Sequence, residues 1–179
     1  MRAKLLHHDA GERVFALVFD TGEDPVAGLT RFAEEQDLTG AGFTAIGAFR
    51  EARLGYFDWG KKGYDEIPVG EQTEVLALVG DVAVEEDGRK KVHAHVVLGH
   101  RDGSACGGHL LSASVRPTLE VILTETPGYL RRRHDPQTGL TLIRWTDAKR
   151  KKKKPAPQRK RSPYSGGKQA PRRAPRRRR

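Results

Sequence analysis

Three histidines offer the clearest chemistry in the chain. His93 and His95 are two residues apart, and His109 follows a segment containing Asp102-Gly103 and Gly107-Gly108. Residues 92–98 are rich in Val and Leu, which predicts a strand. Side chains two apart on a strand face the same side, so both imidazoles of the pair point one way. Asp-Gly is a turn signal. A chain that doubles back at Asp102-Gly103 brings position 95 beside positions 109–110, and His109 to the pair. Three converging imidazoles suit zinc or another divalent transition metal, with a fourth position left open. Gly107-Gly108 would let the backbone pack tightly beside such a site. The same pattern also fits hydrogen-bonded structural histidines, because His-x-His alone is a weak signal. His100 is expected in the turn, and Cys106 reads as a small packing residue rather than a ligand. No Ser, second Cys or paired carboxylate adjoins the set. No catalytic residues are therefore assigned, and the expectation is a protein that is not an enzyme; Glu120 is the nearest candidate acid.

The elements that must position these residues are short. Residues 14–19 form an apolar, β-rich run that ends in Asp20-Thr21-Gly22, and they predict a buried strand. Asp24 and Pro25 open a helix, the first as cap and the second at a position that needs no N–H. Val26, Leu29, Phe32 and Ala33 recur at helical spacing, with Gly40 and Gly42 expected to stop the helix. Residues 43–57 predict one or two strands, in which Gly47 and Gly55 suggest bulges or close backbone approach. A turn is expected at 59–63, a strand at 74–84, and a turn at Glu86-Asp87-Gly88. Residues 107–123 are apolar and β-rich, but Pro117 lies in the middle and predicts two elements. Residues 140–145 alternate and predict an edge strand that closes the domain. The expected class is α+β: a mostly antiparallel or mixed sheet of about six or seven strands with one main helix, followed by a disordered basic tail.

The charge is divided unevenly. The chain has 179 residues, 33 Lys or Arg and 23 Asp or Glu, for a net +10. Residues 149–179 hold 16 of the basic side chains and no acidic one, so residues 1–148 carry a net −6. The cations form clusters: Lys149, Arg150, Lys151, Lys152, Lys153 and Lys154; then Arg159, Lys160 and Arg161; then, beyond an isolated Lys168, Arg172, Arg173, Arg176, Arg177, Arg178 and Arg179. Prolines at 155, 157, 163, 171 and 175 break any helix, and apolar residues are too few to offset the entropy of ordering. The sequence therefore predicts a folded domain over residues 1–146 and a disordered Lys/Arg/Pro-rich tail over 147–179. Such a tail gains affinity for a polyanion by releasing condensed counterions. Arginine suits the narrow minor groove of A·T-rich DNA. One aromatic, Tyr164, leaves little for base stacking. A solvated charge run that only aids solubility would mix signs, and this one does not. The lack of Trp, Phe and Leu argues against a membrane-lying helix.

One cysteine excludes an internal disulfide and a CxxC motif, and fits a reducing compartment. The first residues lack the long apolar stretch of a signal peptide, and no run approaches the length of a membrane span. The expected setting is cytoplasmic, nucleoid-associated in a prokaryote and nuclear in a eukaryote. A local basic patch, Arg131-Arg132-Arg133, offers the otherwise acidic domain one contact to DNA.

The ordered series His93-Ala94-His95, Leu98-Gly99, Asp102-Gly103, Gly107-Gly108-His109-Leu110, Val115 and Pro117-Thr118-Leu119-Glu120-Val121 resembles the PPC (plant and prokaryote conserved) domain, also called DUF296. Gly42-Phe43-Thr44-Ala45-Ile46-Gly47-Ala48 looks like its early strand, and the likeness runs from about residue 13 to residue 145. The resemblance implies a small α+β domain that assembles as a homotrimer. It also implies that, as in prokaryotic members, the matching histidines, here His93, His95 and His109, can hold a metal. In the plant members, AT-hook motifs bind A·T-rich DNA while the domain mediates self-association and partner contacts. This chain departs from the plant pattern. It has no Arg-Gly-Arg-Pro core, and its basic segment follows the domain where the plant hooks precede it.

Three functions are weighed. The first is a DNA-binding protein, architectural or transcription-regulatory, in which the domain oligomerises and the tail holds the duplex with little sequence specificity. The second is a metal-dependent enzyme or small-ligand sensor built on the three histidines. The third is an RNA-associated protein, which would prefer RNA or single strands in competition.

Overall fold

The computed structural model describes residues 1–144. In chain order these form β1 (Arg2–Asp9), β2 (Glu12–Asp20), α1 (Pro25–Glu35), β3 (Ala41–Asp58), β4 (Gly63–Val69), β5 (Thr73–Val84), β6 (Lys90–Gly99), β7 (Ala105–Glu125), β8 (Arg132–His134) and β9 (Thr141–Ile143). Seven strands make one sheet in the order β1-β2-β7-β6-β5-β3-β4, and β8 and β9 pair separately. All strand pairings within these sheets are antiparallel. The α+β class, with one helix among the described residues, is as the sequence predicts. The expected tail over 147–179 and its boundary lie outside the described residues.

Two long strands organise the sheet. β7 pairs with β6 over Ala105–His109, with β2 over Thr118–Glu125, and with β3 along most of its length. β3 in turn pairs with β5, and β5 with β6. β3, β5, β6 and β7 thus form a closed circuit of hydrogen-bonded pairings. Alternate residues of these strands point inward, so Phe43, Leu78, Val82, Val96, Leu98, Leu119, Val121 and Leu123 are buried in one core.

The helix begins where the sequence places it. Asp24 Oδ1 accepts a hydrogen bond from Ala27 N at 3.0 Å, and Pro25 takes the first turn. Leu29, Phe32 and Ala33 are buried, and the Phe32 ring meets Phe15 of β2 edge-on at 5.1 Å, a pairing that adds about 0.5–1.5 kcal/mol beyond area burial. The end differs from expectation. Leu38 N donates to Ala33 O at 2.9 Å and Asp37 N to Glu34 O at 3.1 Å, with Asp37 at φ 48°. This is a Schellman stop in which Asp, rather than glycine, takes the left-handed position. The helix therefore ends before Gly40 and Gly42.

Other boundaries also shift. Residues 43–57 belong to one strand, β3, with register breaks beside Gly47, Phe49 and Arg53. Residues 107–123 are one strand as well, not two. β7 runs straight through Pro117, because the pairing with β3 skips register between Gly47 and Phe49, opposite that proline, where no ladder donor is required. The expected closing strand at 140–145 is the short β9, which pairs with β8 rather than edging the main sheet, and Trp145 lies outside the described residues. Strands β1, β4 and β8 were not expected. β1 is exposed along its whole length, and β4 carries Pro68; both are edge strands with weak patterns.

Candidate metal centre

The β6–β7 hairpin sets the site. The turn after β6 is closed by His100 N to Ser104 O at 2.8 Å and by Gly103 N to His100 O at 3.0 Å. The resulting register places His95 directly opposite His109, as the turn signal and strand parity predict. Close packing here depends on glycine: a Cβ on Gly107 would lie 2.6 Å from Val96 O. His93, two residues from His95, faces the same side. Ring centroids lie 5.1 Å apart for His93 and His95, 5.1 Å for His93 and His109, and 5.3 Å for His95 and His109. One ring nitrogen from each lies within 4.8 Å of the others. Among the described residues this is the one trio of His, Cys, Asp or Glu with that proximity.

The electrostatics favour the neutral form of His95 and His109. Burial pushes the His109 imidazole down to about 4 from its ordinary 6.5, and the neighbouring His93, His95, Lys91 and Arg132 push the same way. Burial and then His93 also hold His95 below the ordinary value. A neutral imidazole keeps a lone pair on one nitrogen, as a metal ligand must. His109 Nδ1 is buried without a hydrogen-bond partner. A buried nitrogen without a partner beside two further imidazoles is compatible with a metal ligand set.

Three further side chains surround the trio, and sequence reasoning missed all of them. Tyr64 of β4 stacks on His109 with centroids 4.5 Å apart and planes 20° from parallel. Gly55 makes room for that ring, since a Cβ there would lie 2.7 Å from Tyr64 Cδ1. Asp81 of β5 stands opposite His93 in the ladder, with Oδ2 3.6 Å from His93 Nδ1. Burial raises the Asp81 carboxyl, but hydrogen bonding to His93 and Arg132 and their charge outweigh it, and the carboxyl lies below the usual range. Arg132 Nη2 donates to both Asp81 oxygens, at 2.7 and 3.0 Å, while Nη1 donates to Thr141 O at 3.0 Å. Period-two patterning in β5 gives a signal for Asp81 on the outer face; nothing local signals Tyr64 or Arg132.

Glu120 sits opposite Val18 and Ile46, away from the trio. Of Arg131-Arg132-Arg133, only the middle residue is withdrawn from the surface, and Arg131 and Arg133 are exposed. Arg132 is buried against Asp81, Arg131 lies over the Tyr129 ring at 5.4 Å, and Arg133 approaches Glu86 at 3.8 Å. Lys149 to Arg179, the expected DNA-binding residues, lie outside the described residues. No helix among the described residues is long and apolar enough to cross a membrane.

The Plants and Prokaryotes Conserved (PCC) domain matches residues 7–127. No curated protein matches the sequence. Among solved structures, a metal-containing protein of Archaeoglobus fulgidus is 39% identical, with 74% of this chain and 93% of that one covered and a TM-score of 0.68. A plant- and prokaryote-conserved protein of Pyrococcus horikoshii is 27% identical over 81% and 96% of the two chains, with a TM-score of 0.70. A candidate DNA-binding protein of Ralstonia eutropha is 26% identical over 80% and 96%, with a TM-score of 0.71. The match spans both long strands, the helix and all three histidines, and the chain belongs to the Plants and Prokaryotes Conserved domain family.

Proposed function

We propose that this chain is a DNA-binding protein, architectural or regulatory, whose folded domain self-associates and whose basic C-terminal segment holds the duplex. The observation that carries this reading is the segregation of charge: 16 cations and no acid in residues 149–179, against a net −6 in the remainder. The candidate DNA-binding protein of Ralstonia eutropha, similar over the folded part, points the same way. Binding through this segment is mainly electrostatic, with little sequence specificity and a bias toward the minor groove. Association of domains, into the homotrimer the resemblance implies, would place several such segments on one particle and raise avidity without a new contact. In a prokaryotic cell this sets the protein on the nucleoid.

The test is a salt titration of binding to A·T-rich and G·C-rich duplexes by the full chain and by residues 1–148. For about 6–10 phosphate contacts, affinity of the full chain falls about 10³–10⁵-fold between about 50 and 200 mM salt. The truncated chain should not bind. Equal weak binding by both ends the DNA reading, and tighter binding to RNA or single strands in competition transfers it to RNA.

A second reading concerns the three histidines. His93, His95 and His109 would hold a divalent transition metal such as zinc, which when bound supplies a Lewis acid with a position open to a small ligand. The unpartnered His109 Nδ1 favours it, and the similar Archaeoglobus fulgidus protein is metal-containing. Asp81 and Arg132 would orient His93, and Tyr64 would cover His109 on one face.

A further inference from the structure

A second cluster of reactive side chains lies at the tip of the β6–β7 hairpin, outside the trio. His100 leaves β6, and Cys106 lies at the start of β7. The pinned turn between them brings His100 Nε2 to 3.2 Å from Cys106 Sγ. On the other side of the ring, His100 Nδ1 lies 2.9 Å from Glu71 Oε1, in the connection from β4 to β5. The direction of these bonds follows from the partners. An ionised carboxylate only accepts, so Nδ1 carries the hydrogen and Nε2 presents its lone pair to the thiol. Nucleophile, base and orienting carboxylate are thus in line, the arrangement that activates a nucleophile in general. A cleft of about 510 Å³ opens on His100, lined also by Glu71, Arg101, Asp102 and Ser104. Cys106 itself is half-buried: it packs partly against the core opposite Leu98, as a small packing residue would, while its Sγ meets His100.

We infer that Cys106 is a nucleophilic thiol served by His100 as base and by Glu71 as positioning residue, and that it undergoes exchange with small soluble disulfides. In the step, the Cys106 S–H proton passes to His100 Nε2 and the sulfur attacks one sulfur of the disulfide. A new S–S bond forms, the old one breaks, and the leaving sulfur departs with its electron pair and takes the proton back from His100. The incoming disulfide is the only oxidant. Disulfide exchange needs a deprotonated sulfur and access, whereas acyl transfer also needs donors aimed at an oxyanion. With one cysteine in the chain, no second thiol can resolve the adduct. The product is therefore a persistent mixed disulfide, reversed only by an external thiol.

The experiment treats the full-length protein with oxidised glutathione from about pH 5 to about pH 9 and follows the single adduct by mass spectrometry. The wild-type rate should exceed that of a free cysteine peptide about tenfold or more near pH 6, with a flatter pH profile. His100→Gln should return the profile to that of the peptide. Glu71→Gln, at a side chain 65% exposed and so harmless to folding, should lose part of the gain at low pH and none at high pH. A wild-type profile that follows the free peptide overturns the inference without recourse to any variant. So does a folded His100→Gln protein that reacts as fast as wild type.

Discussion

Arg132 holds Asp81 through one guanidinium nitrogen shared between both carboxylate oxygens, at 2.7 and 3.0 Å. The pair joins the small β8–β9 sheet to the main one, and it aims Asp81 at His93. A partner that fixes a ligating imidazole raises its basicity and limits its rotation, and loss of such a partner typically costs about 10–100-fold in metal affinity. Asp81→Asn should therefore weaken zinc binding by about that factor in chelator-stripped protein, measured by competition with a chromogenic chelator. Arg132→Met should weaken it similarly and also cost about 1.5–3 kcal/mol of stability, because a charge-assisted hydrogen bond is lost and the part-buried Asp81 keeps only the longer contact to His93. Zinc binding unchanged in both variants would mean that His93 is oriented without help from Asp81.

The second prediction concerns pH. His109 titrates at about 4 when folded, below its ordinary 6.5. Between these values the unfolded chain binds more protons than the native one, so stability rises with pH across that window. The contribution is fully present above about 6.5 and is lost as pH falls toward about 4. In chelator-treated protein, the urea midpoint should drop between those limits, and His109→Gln should flatten the drop. An equal slope in both proteins would place the titrating group elsewhere.

The His95–His109 pairing was legible because it depends on near neighbours: a turn signal between two strands and the parity of the strand. The helix start was legible for the same reason, since Asp24 and Pro25 act within one turn. The helix end was not, because Asp37 in the left-handed region supplied a stop that glycine usually provides. Pro117 misled because its consequence depends on the register of β3, far away in sequence. Tyr64, Asp81 and Arg132 reach the site from β4, β5 and β8. Two of these strands, β4 and β8, are short and weakly patterned, so nothing local announced them. The ordered His, Gly and Pro positions gave the family, but not these three side chains.

The last prediction follows from the outer face of the sheet. Ile122, Thr44, Val79 and His95 lie in one row across β7, β3, β5 and β6. Ile122 is 48% exposed and Val79 51%. Ile46, Leu76 and Val97 extend the same face and are equally open to water. Scattered apolar residues on a surface need no partner, but a contiguous band on four adjacent strands marks an association surface. Under the self-association proposed above, a second copy of this chain is the partner to test. A charge placed in the band would be desolvated in the assembly but hydrated in the lone chain, so it acts on association and spares the fold. Val79→Glu combined with Ile122→Glu should shift sedimentation velocity from an oligomer to the monomer with little change in the circular dichroism spectrum. Loss of the oligomer should also reduce DNA affinity through lost avidity, while the salt slope per chain is kept. An oligomer that survives both substitutions would move the interface to another face, and the band would then need a different partner.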